Sequence, residues 1–287
     1  MPERLARSRF FLKIFEIIVP VSTWVLITLP LWLSPFHPAV VAYFIIAFDL
    51  YFFYKSYTTV YYAVLSYMTI KRFQKVPFYK KITALKKAKG IMHFVIMPTY
   101  QEPIYKLEST INALVNNDYP YKNIYLVLAF EKRESEALDK AEKLMKKYKN
   151  KFAKIILTYH ELIDKEAAGK ASNQTHSAKM VDEYVAANQI RRENTILTIC
   201  DADSHLPKNY FSYLTFEYLR DKDHLYHFYW APVLLYNNFS SLPFFVRMQA
   251  TLSSILRMAF LSQEKKLIQI SMVTQRFPMK RPEKFSQ

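Results

Sequence analysis

The chain has 287 residues, 51% of them hydrophobic and 16% aromatic, and its formal net charge is +16 at pH 7. Gly90 and Gly169 are the only glycines, which excludes a Walker loop and the dinucleotide-binding fingerprint, because each needs several glycines at fixed spacing. The single cysteine, Cys200, excludes an internal disulfide and a zinc site built from several cysteines, and its apolar neighbours indicate a buried strand thiol. Lysines and arginines are spread along the chain without a nucleic-acid-binding motif, so the basic excess favours an anionic membrane surface or nucleotide and no nucleic acid.

The N-terminal region is predicted to be a membrane anchor, within residues 1–75. Residues 17–48 contain no Asp, Glu, Lys or Arg, and one span needs only about 20 mostly apolar residues. Pro35 and Pro38 disfavour a continuous helix, which predicts two transmembrane helices, about 11–33 and 39–62, joined by a tight turn. The alternative is a buried hairpin of a soluble protein, and a cleaved signal peptide fits poorly because the apolar stretch is long and no cleavage site follows it.

Basic residues flank both predicted spans. They are Arg4, Arg7, Arg9 and Lys13 before the first, and Lys71, Arg72, Lys75, Lys80 and Lys81 after the second. The positive-inside rule therefore places both ends in the cytoplasm, with the chain in the cell (inner) membrane. Asp49 and Lys55 lie within or at the edge of the second span, where a charge is unfavourable unless it faces protein, water or the interface.

From about residue 90 the pattern predicts an α/β domain. Four apolar runs read as strands: HFVIMP from His93, NIYLVLAF from Asn123, AKIILTY from Ala153 and TILTIC from Thr195. Three helices are predicted between them: one from Pro103 to the NNDYP sequence, a second that includes EKLMKKYKNK, and a third from Gly169 or Lys170 to about Ile190. This alternation indicates a largely parallel sheet covered on both faces.

Polar residues follow the predicted strands, and ligands of such sheets bind outside the carboxyl ends of the strands. Asp201 and Asp203 leave the fourth strand one residue apart, so both side chains lie on the same side of an extended backbone. Carboxylate oxygens of this kind suit Mg²⁺ or Mn²⁺, which bind diphosphate oxygens as well. The alternative interpretation is a helix N-cap and turn. Among the histidines, His160 is a candidate neighbour of this edge, and the others show no metal-ligand spacing.

Four motifs in order, IMPTYQEP, YLVLAFEKRE, GKASNQTHSA and TICDADSHLPKNYF, resemble the membrane-anchored family 2 glycosyltransferases, which include cellulose-synthase-like and hyaluronan-synthase-like enzymes. The resemblance covers roughly residues 90–235. It implies a GT-A (Rossmann-like) domain behind a two-helix transmembrane hairpin, a divalent cation, and sugar transfer with inversion from a nucleotide-sugar donor to a saccharide or lipid-linked acceptor. The domain is expected over residues 90–287.

The resemblance also implies site residues. Carried over position by position, the donor-binding residues are Pro98, Thr99, Tyr100, Glu102, Glu131 and Asp201, and the metal residues are Asp203 and Asp201. Lys170 and Asn173 are further donor-binding candidates because of their own place in the chain. Gln101 stands where an asparagine is more usual. Direct coordination is expected of Asp203, with Asp201 nearer the ribose or a metal-bound water.

Gly169 and Lys170 are expected to open a helix at the same edge. The glycine would permit a positive φ or a close backbone approach, and Lys170 and the helix N-terminus would bring positive charge to the diphosphate. Asn173, one turn later, would donate to the nucleotide. The alternative is a turn glycine followed by a solvent-exposed lysine.

An inverting transferase needs a general base, and none is recognised here. Beyond residue 235 the acidic residues are Glu264 and Glu283, and neither lies in the acidic motif typical of the family. Residues 243–261 have the pattern of an amphipathic helix at the membrane interface. We therefore expect a C-terminally truncated enzyme. The alternatives are a non-catalytic relative or fragment that binds nucleotide-sugar or a partner, and a basic membrane-surface adaptor without a nucleotide site.

Overall fold

The computed structural model describes residues 2–85, 88, 90–163, 166–229, 231, 234–235, 239, 242–263 and 274–275. The chain divides into two compact units, Met1–Tyr61 and Tyr62–Gln287, and each is described by itself. Glu264, Glu283 and most of the sequence YWAPVLLYNN, which is predicted to form a further strand and turn, lie outside the described residues.

The first unit consists of helix α1 (Pro2–Leu33) and the first part of helix α2 (Pro38–Gln74). The intervening turn is closed by hydrogen bonds from the amides of Phe36 and His37 to the carbonyl of Leu33, at 3.1 and 2.9 Å. Lys13–Leu33 and Pro38–Gln74 are both long and apolar enough to cross a membrane, and almost none of their apolar surface is buried. Two helices joined by a turn are present, but α1 begins nine residues before its predicted start and α2 ends twelve residues after its predicted end. That they form a transmembrane hairpin stays a prediction.

The second unit contains a five-stranded sheet in the order β3-β2-β1-β4-β5. Its strands are β1 (Met92–Pro98), β2 (Ile124–Glu131), β3 (Lys154–His160), β4 (Thr195–Ile199) and β5 (Thr274–Gln275). The first four are parallel, and each begins within one residue of its predicted start, which confirms the α/β class. Strand β5 pairs antiparallel with β4 through Leu197 and Thr198.

Both faces of the sheet are covered, because successive strand residues point to opposite sides. On one face Val95 and Met97 of β1 join a core with residues of α3 (Phe78–Thr83), α4 (Ile104–Val115), α5 (Ala137–Tyr148) and α7 (Tyr210–Arg220). On the other face Phe94 and Ile96 join a core with residues of α6 (Lys170–Ala187). Helix α8 (Phe244–Gln263) packs on the C-terminal part of α2 through Met258.

Helix α6 ends at Ala187, three residues before the predicted end. Gln189 follows with φ of 54°, and its amide and that of Ile190 donate to the carbonyls of Ala186 and Val185 at 3.1 and 3.0 Å. This is a Schellman ending, which normally uses glycine or asparagine at the left-handed position. Glutamine carries no such signal, so the sequence did not reveal the helix end.

The strand order creates a topological switch point. The chain runs from β1 outward to β2 and β3, and then returns to place β4 on the other side of β1. Crossovers therefore leave in opposite directions from β1 and β4, which opens a crevice at the carboxyl ends of these two strands. The crevice is the place where the fold favours a ligand.

Candidate functional site

The loop after β1 forms one wall of this crevice. Pro98 is the last residue of the strand, and the amide of Thr99 donates to the carbonyl of Ala129 in β2 at 2.9 Å. The Thr99 hydroxyl is buried and has no hydrogen-bond partner among the described residues. Tyr100 is exposed, and Gln101 has a φ of 57°, so the loop turns through the left-handed region that non-glycine residues seldom adopt.

Glu102 and Lys106 connect this loop to the end of β4. Their side chains form an ion pair of 3.3 Å at the start of α4. The hydrogen bond to Glu102 is the main cause of a raised pKa for Lys106, and Asp203 adds a smaller electrostatic contribution. Lys106 is thus a cation of the crevice that the sequence analysis missed, although its spacing of four residues from Glu102, at the start of a predicted helix, was a signal for the pair.

Glu131 ends β2 and is only 2% exposed. Its Oε2 lies 3.3 Å from Nε of Arg133 and 3.5 Å from Nδ1 of His160, without forming a hydrogen bond to either. The guanidinium of Arg133 stacks over the ring of Tyr100 at 4.1 Å from its centroid. Arg133, another residue that the sequence analysis missed, therefore links Glu131 to the first loop.

His160 ends β3 and is buried between two carboxylates. Its Nδ1 faces Glu131, and its Nε2 lies 3.1 Å from Oε2 of Glu166. The amide of Ile163 also donates to Glu166, and this bond followed by the contact with His160 lowers the pKa of the Glu166 carboxyl. The structure thus places His160 against a predicted donor-binding residue and ties the segment before α6 to the sheet.

Lys170 begins α6 and forms an ion pair with Oδ1 of Asp201. Both side chains are about half exposed, so a ligand can reach them. The expectation for Gly169 needs correction: its φ of 168° is ordinary extended backbone, and no atom lies within 4 Å of the position a Cβ would take. Within the described residues, neither a left-handed conformation nor a close approach explains this glycine.

Asn173 also requires a correction. Its side chain is 2% exposed, and Nδ2 donates to the carbonyl of Ala129 at 2.8 Å. The Ser177 hydroxyl donates to its Oδ1 at 3.4 Å. Asn173 therefore fastens α6 to β2 beneath the crevice instead of presenting its amide to a ligand, because the second turn of α6 packs against the sheet.

Asp201 and Asp203 lie in a turn that follows β4. The amide of Cys200 still donates to Ile96 of β1 at 2.9 Å, and the amide of Ser204 donates to the carbonyl of Asp201 at 3.0 Å. Of the alternative interpretation, the turn is present, but the helix N-cap is wrong because α7 begins only at Tyr210. Asp201 is half-buried and Asp203 is exposed.

The donor set of this turn fits a hard divalent cation. No group of three or more His, Cys, Asp or Glu side chains within the described ranges is arranged to hold an ion alone. Two carboxylates nevertheless suffice where diphosphate oxygens and water complete the shell, as Mg²⁺ and Mn²⁺ prefer. One of these carboxylates, Asp201, already faces a cation, the ammonium of Lys170.

Cys200 is buried, as predicted, and burial raises the pKa of its thiol to about 12. Burial and a protonated thiol make it a poor nucleophile near neutral pH.

An aspartate and histidine pair lies elsewhere. Nδ1 of His227 is 2.6 Å from Oδ2 of Asp221, an arrangement suited to a general base. However, α7 leads this segment away from the crevice. The Tyr218 hydroxyl, near the C-terminal end of α7, donates to the backbone carbonyl of Glu193, which lies just before β4 begins. The pair belongs to the amino edge of the sheet and does not supply the base of the crevice.

No protein-family model and no curated protein matches the chain. Among solved structures, two crystal structures of S. aureus TarS 1–349, one in complex with UDP-GlcNAc, are similar at 18% identity with a TM-score of 0.32. A crystal structure of S. aureus TarS is similar at 19% identity with a TM-score of 0.29. Each match covers 45% of this chain and 32%, 33% and 20% of the three TarS chains, so this chain spans a third or less of their length. Similarity at this level does not assign a family.

Proposed function

We propose that the protein is a membrane-anchored glycosyltransferase with a GT-A domain, resembling the family 2 enzymes, that takes its sugar from a nucleotide-sugar donor. One observation carries the proposal: Asp201 and Asp203 leave β4 at the switch point beside β1, with the ammonium of Lys170 paired to Asp201. An accessible cluster of two carboxylates and a lysine at this place suits a metal-bound diphosphate.

The donor is held by residues from three strand ends. Asp203 and Asp201 would hold Mg²⁺ or Mn²⁺, and such an ion would supply positive charge to the diphosphate leaving group. Lys170 moves from Asp201 toward a phosphate oxygen and supplies a charge-assisted hydrogen bond. Tyr100, stacked on Arg133, offers an aromatic surface beside the nucleoside, and Glu131 offers a buried acceptor.

The site is proposed to work at the cytoplasmic face of the cell membrane. Lys13–Leu33 and the apolar part of α2 expose nearly all of their apolar side chains, which suits contact with lipid. The basic residues at both ends favour a cytoplasmic position for the following domain, residues 90–287, on the side of the membrane where its donor is proposed to be. Residues 1–75 then serve as the anchor.

The acceptor is proposed to be a saccharide or a lipid-linked sugar. Transfer needs a base that takes the proton from the attacking hydroxyl while the diphosphate leaves from the opposite face of the sugar. Near the crevice, the described carboxylates of Glu102 and Asp201 are ion-paired with lysines, and Glu131 is buried. Glu264, which lies outside the described residues, is the first position to test for this role.

The test is a calorimetric titration with a panel of nucleotide-sugars, in the presence and absence of Mn²⁺. The variant Asp203→Ala should lose metal-dependent binding, whereas Asp223→Ala, which alters an exposed aspartate after α7, should bind like the unmodified protein. Unchanged affinity in Asp203→Ala would show that the turn is only structural.

A radiolabelled sugar-transfer assay on the same protein separates the enzyme from a donor-binding protein. Turnover with the best-binding donor supports transferase activity. Tight binding without turnover would instead identify a nucleotide-sugar-binding protein that lacks catalysis.

A further inference from the structure

Helix α8 carries a row of exposed apolar side chains. Phe244, Met248, Leu252, Leu256 and Phe260 follow at intervals of four residues, and each is between 48% and 65% exposed. Residues four apart lie on the same side of a helix, so these side chains form a continuous strip. Exposed apolar patches of this kind mark interaction sites.

Packing fixes the direction in which this strip faces. Ala250, Ser254 and Met258 are buried, and each lies two residues from a member of the strip, about 200° around the helix. The amide of Leu235 donates to the Ser254 hydroxyl at 3.1 Å, and Met258 packs against Ala63 of α2. The apolar strip is thus held outward by contacts on the opposite side of α8.

A groove of about 480 Å³ lies at the N-terminal end of this strip. Its lining residues are Phe239, Phe244, Arg247, Met248, Thr251 and Leu252. Arg247 is the charged member, and its Nε is shielded from solvent without a hydrogen-bond partner. No ion pair joins it to a carboxylate in the part of the chain that the structure describes. An arginine in an apolar groove that no described carboxylate neutralises is complementary to an amphiphile with an anionic head.

We propose that this groove binds an anionic phospholipid of the bilayer, with the phosphate at Arg247 and an acyl chain along Met248 and Leu252. The planar guanidinium pairs with two phosphate oxygens at once, and the net charge of +16 favours an anionic leaflet. The inference rests on the membrane placement proposed above and goes beyond sugar transfer, since it assigns a lipid site distinct from the crevice.

The experiment places one fluorophore in the groove of the full chain. Leu252→Cys provides an exposed thiol for an environment-sensitive label, while Cys200 stays unlabelled because it is buried with a pKa of about 12. Glu142→Cys, on the exposed face of α5, is the matched control. Both proteins are placed in phosphatidylcholine nanodiscs that contain nitroxide-labelled phosphatidylglycerol or, at equal mole fraction, nitroxide-labelled phosphatidylcholine.

We expect lipid quenching at position 252 and little at position 142, with phosphatidylglycerol the stronger quencher at 252. Adding Arg247→Gln should reduce the preference for phosphatidylglycerol over phosphatidylcholine about fivefold, because one cation near an anionic surface contributes about that factor. Arg247→Lys, which keeps the charge, should retain part of it. Equal quenching at 252 and 142, or a lipid preference that Arg247→Gln leaves unchanged, overturns the proposal.

A donor titration on the same labelled protein keeps the two proposals distinguishable. Loss of the lipid preference with intact donor binding identifies a failure of the lipid site alone. Absent donor binding with a preserved lipid preference would contradict the proposed function and leave the lipid site supported.

Discussion

Lys170 and Asp201 form an ion pair across the crevice, joining the first residue of α6 to the end of β4. The pair brings together two motifs that lie 31 positions apart in the chain. The Lys170 ammonium is paired with Asp201, one of the two carboxylates proposed to hold the cation. The metal and the lysine therefore compete for Asp201. Binding of the metal-diphosphate complex releases this competition, because a phosphate gives Lys170 a new anionic partner.

Replacing Lys170 should therefore change metal and donor binding in opposite directions. Lys170→Met keeps an aliphatic side chain but removes the charge, so Mn²⁺ affinity without nucleotide should rise. Donor affinity at saturating Mn²⁺ should fall by about tenfold or more, since hydrogen bonds to charged groups contribute roughly 1.5–3 kcal/mol. Calorimetric titration measures both. Lys146→Met on the exposed face of α5 is the control, and a parallel loss of both affinities in Lys170→Met would refute the competition.

Asn173 should act through the fold and not through direct donor contact. Asn173→Ala removes a buried amide that bonds to Ala129, which should lower the free energy of unfolding by about 1–3 kcal/mol. At a temperature where the variant is folded, donor affinity should change less than twofold. Chemical denaturation in detergent measures the first quantity and calorimetry the second. Gln174→Ala, at the next position of α6, should be close to neutral, and a large selective loss of donor affinity in Asn173→Ala would restore its role as a ligand.

The left-handed conformation of Gln101 predicts a stabilising substitution. A left-handed backbone costs a side-chain-bearing residue roughly 1–2 kcal/mol, which glycine avoids at some loss of unfolded-state entropy. Gln101→Gly should thus raise the free energy of unfolding by up to about 1 kcal/mol. Gln174→Gly, inside α6, should lower it by about 1 kcal/mol in the same denaturation assay. If both glycines destabilise equally, the backbone at Gln101 carries no strain.

Local patterns predicted most of the fold. The parallel strands were predictable because each is an apolar run bounded by polar residues. The position of Asp201 and Asp203 just after β4 follows from the same pattern, whereas their role as metal ligands stays a prediction. The structure differs where the deciding contacts join distant segments. Thr274 and Gln275 pair with β4 across more than 70 residues, and no short-range pattern marks them.

Contacts between distant segments also account for the differences within the crevice. The burial of Asn173 depends on how α6 rotates against β2, which its sequence alone does not fix. Arg133 joins Glu131 to Tyr100 only because β1 and β2 are neighbours in the sheet. Gly169 marked the start of α6 correctly, yet its backbone is extended, so rarity of a residue type did not indicate an unusual conformation.

His93 provides a prediction about acid stability. It is fully buried in β1, its Nε2 lies 2.8 Å from the Thr215 hydroxyl, and the rings of Tyr119 and Phe211 pack around it. Burial lowers its pKa from 6.5 to about 3. Between these values the unfolded chain binds a proton that the folded chain does not, so stability falls as the pH drops below 6.5.

The expected contribution of His93 is a loss of about 2 kcal/mol in the free energy of unfolding between pH 7 and pH 5, at 1.36 kcal/mol per pKa unit. His93→Leu should remove this pH-dependent part, although Thr215 then lacks its partner and the variant is less stable at pH 7. The double variant His93→Leu, Thr215→Val separates the two effects, because it removes the hydroxyl as well. Denaturation at pH 7 and pH 5 in detergent gives the difference, with His205→Leu, an exposed histidine, as the control. An equal pH dependence in the unmodified protein and in both His93 variants would mean that this histidine is already protonated inside the fold at pH 5.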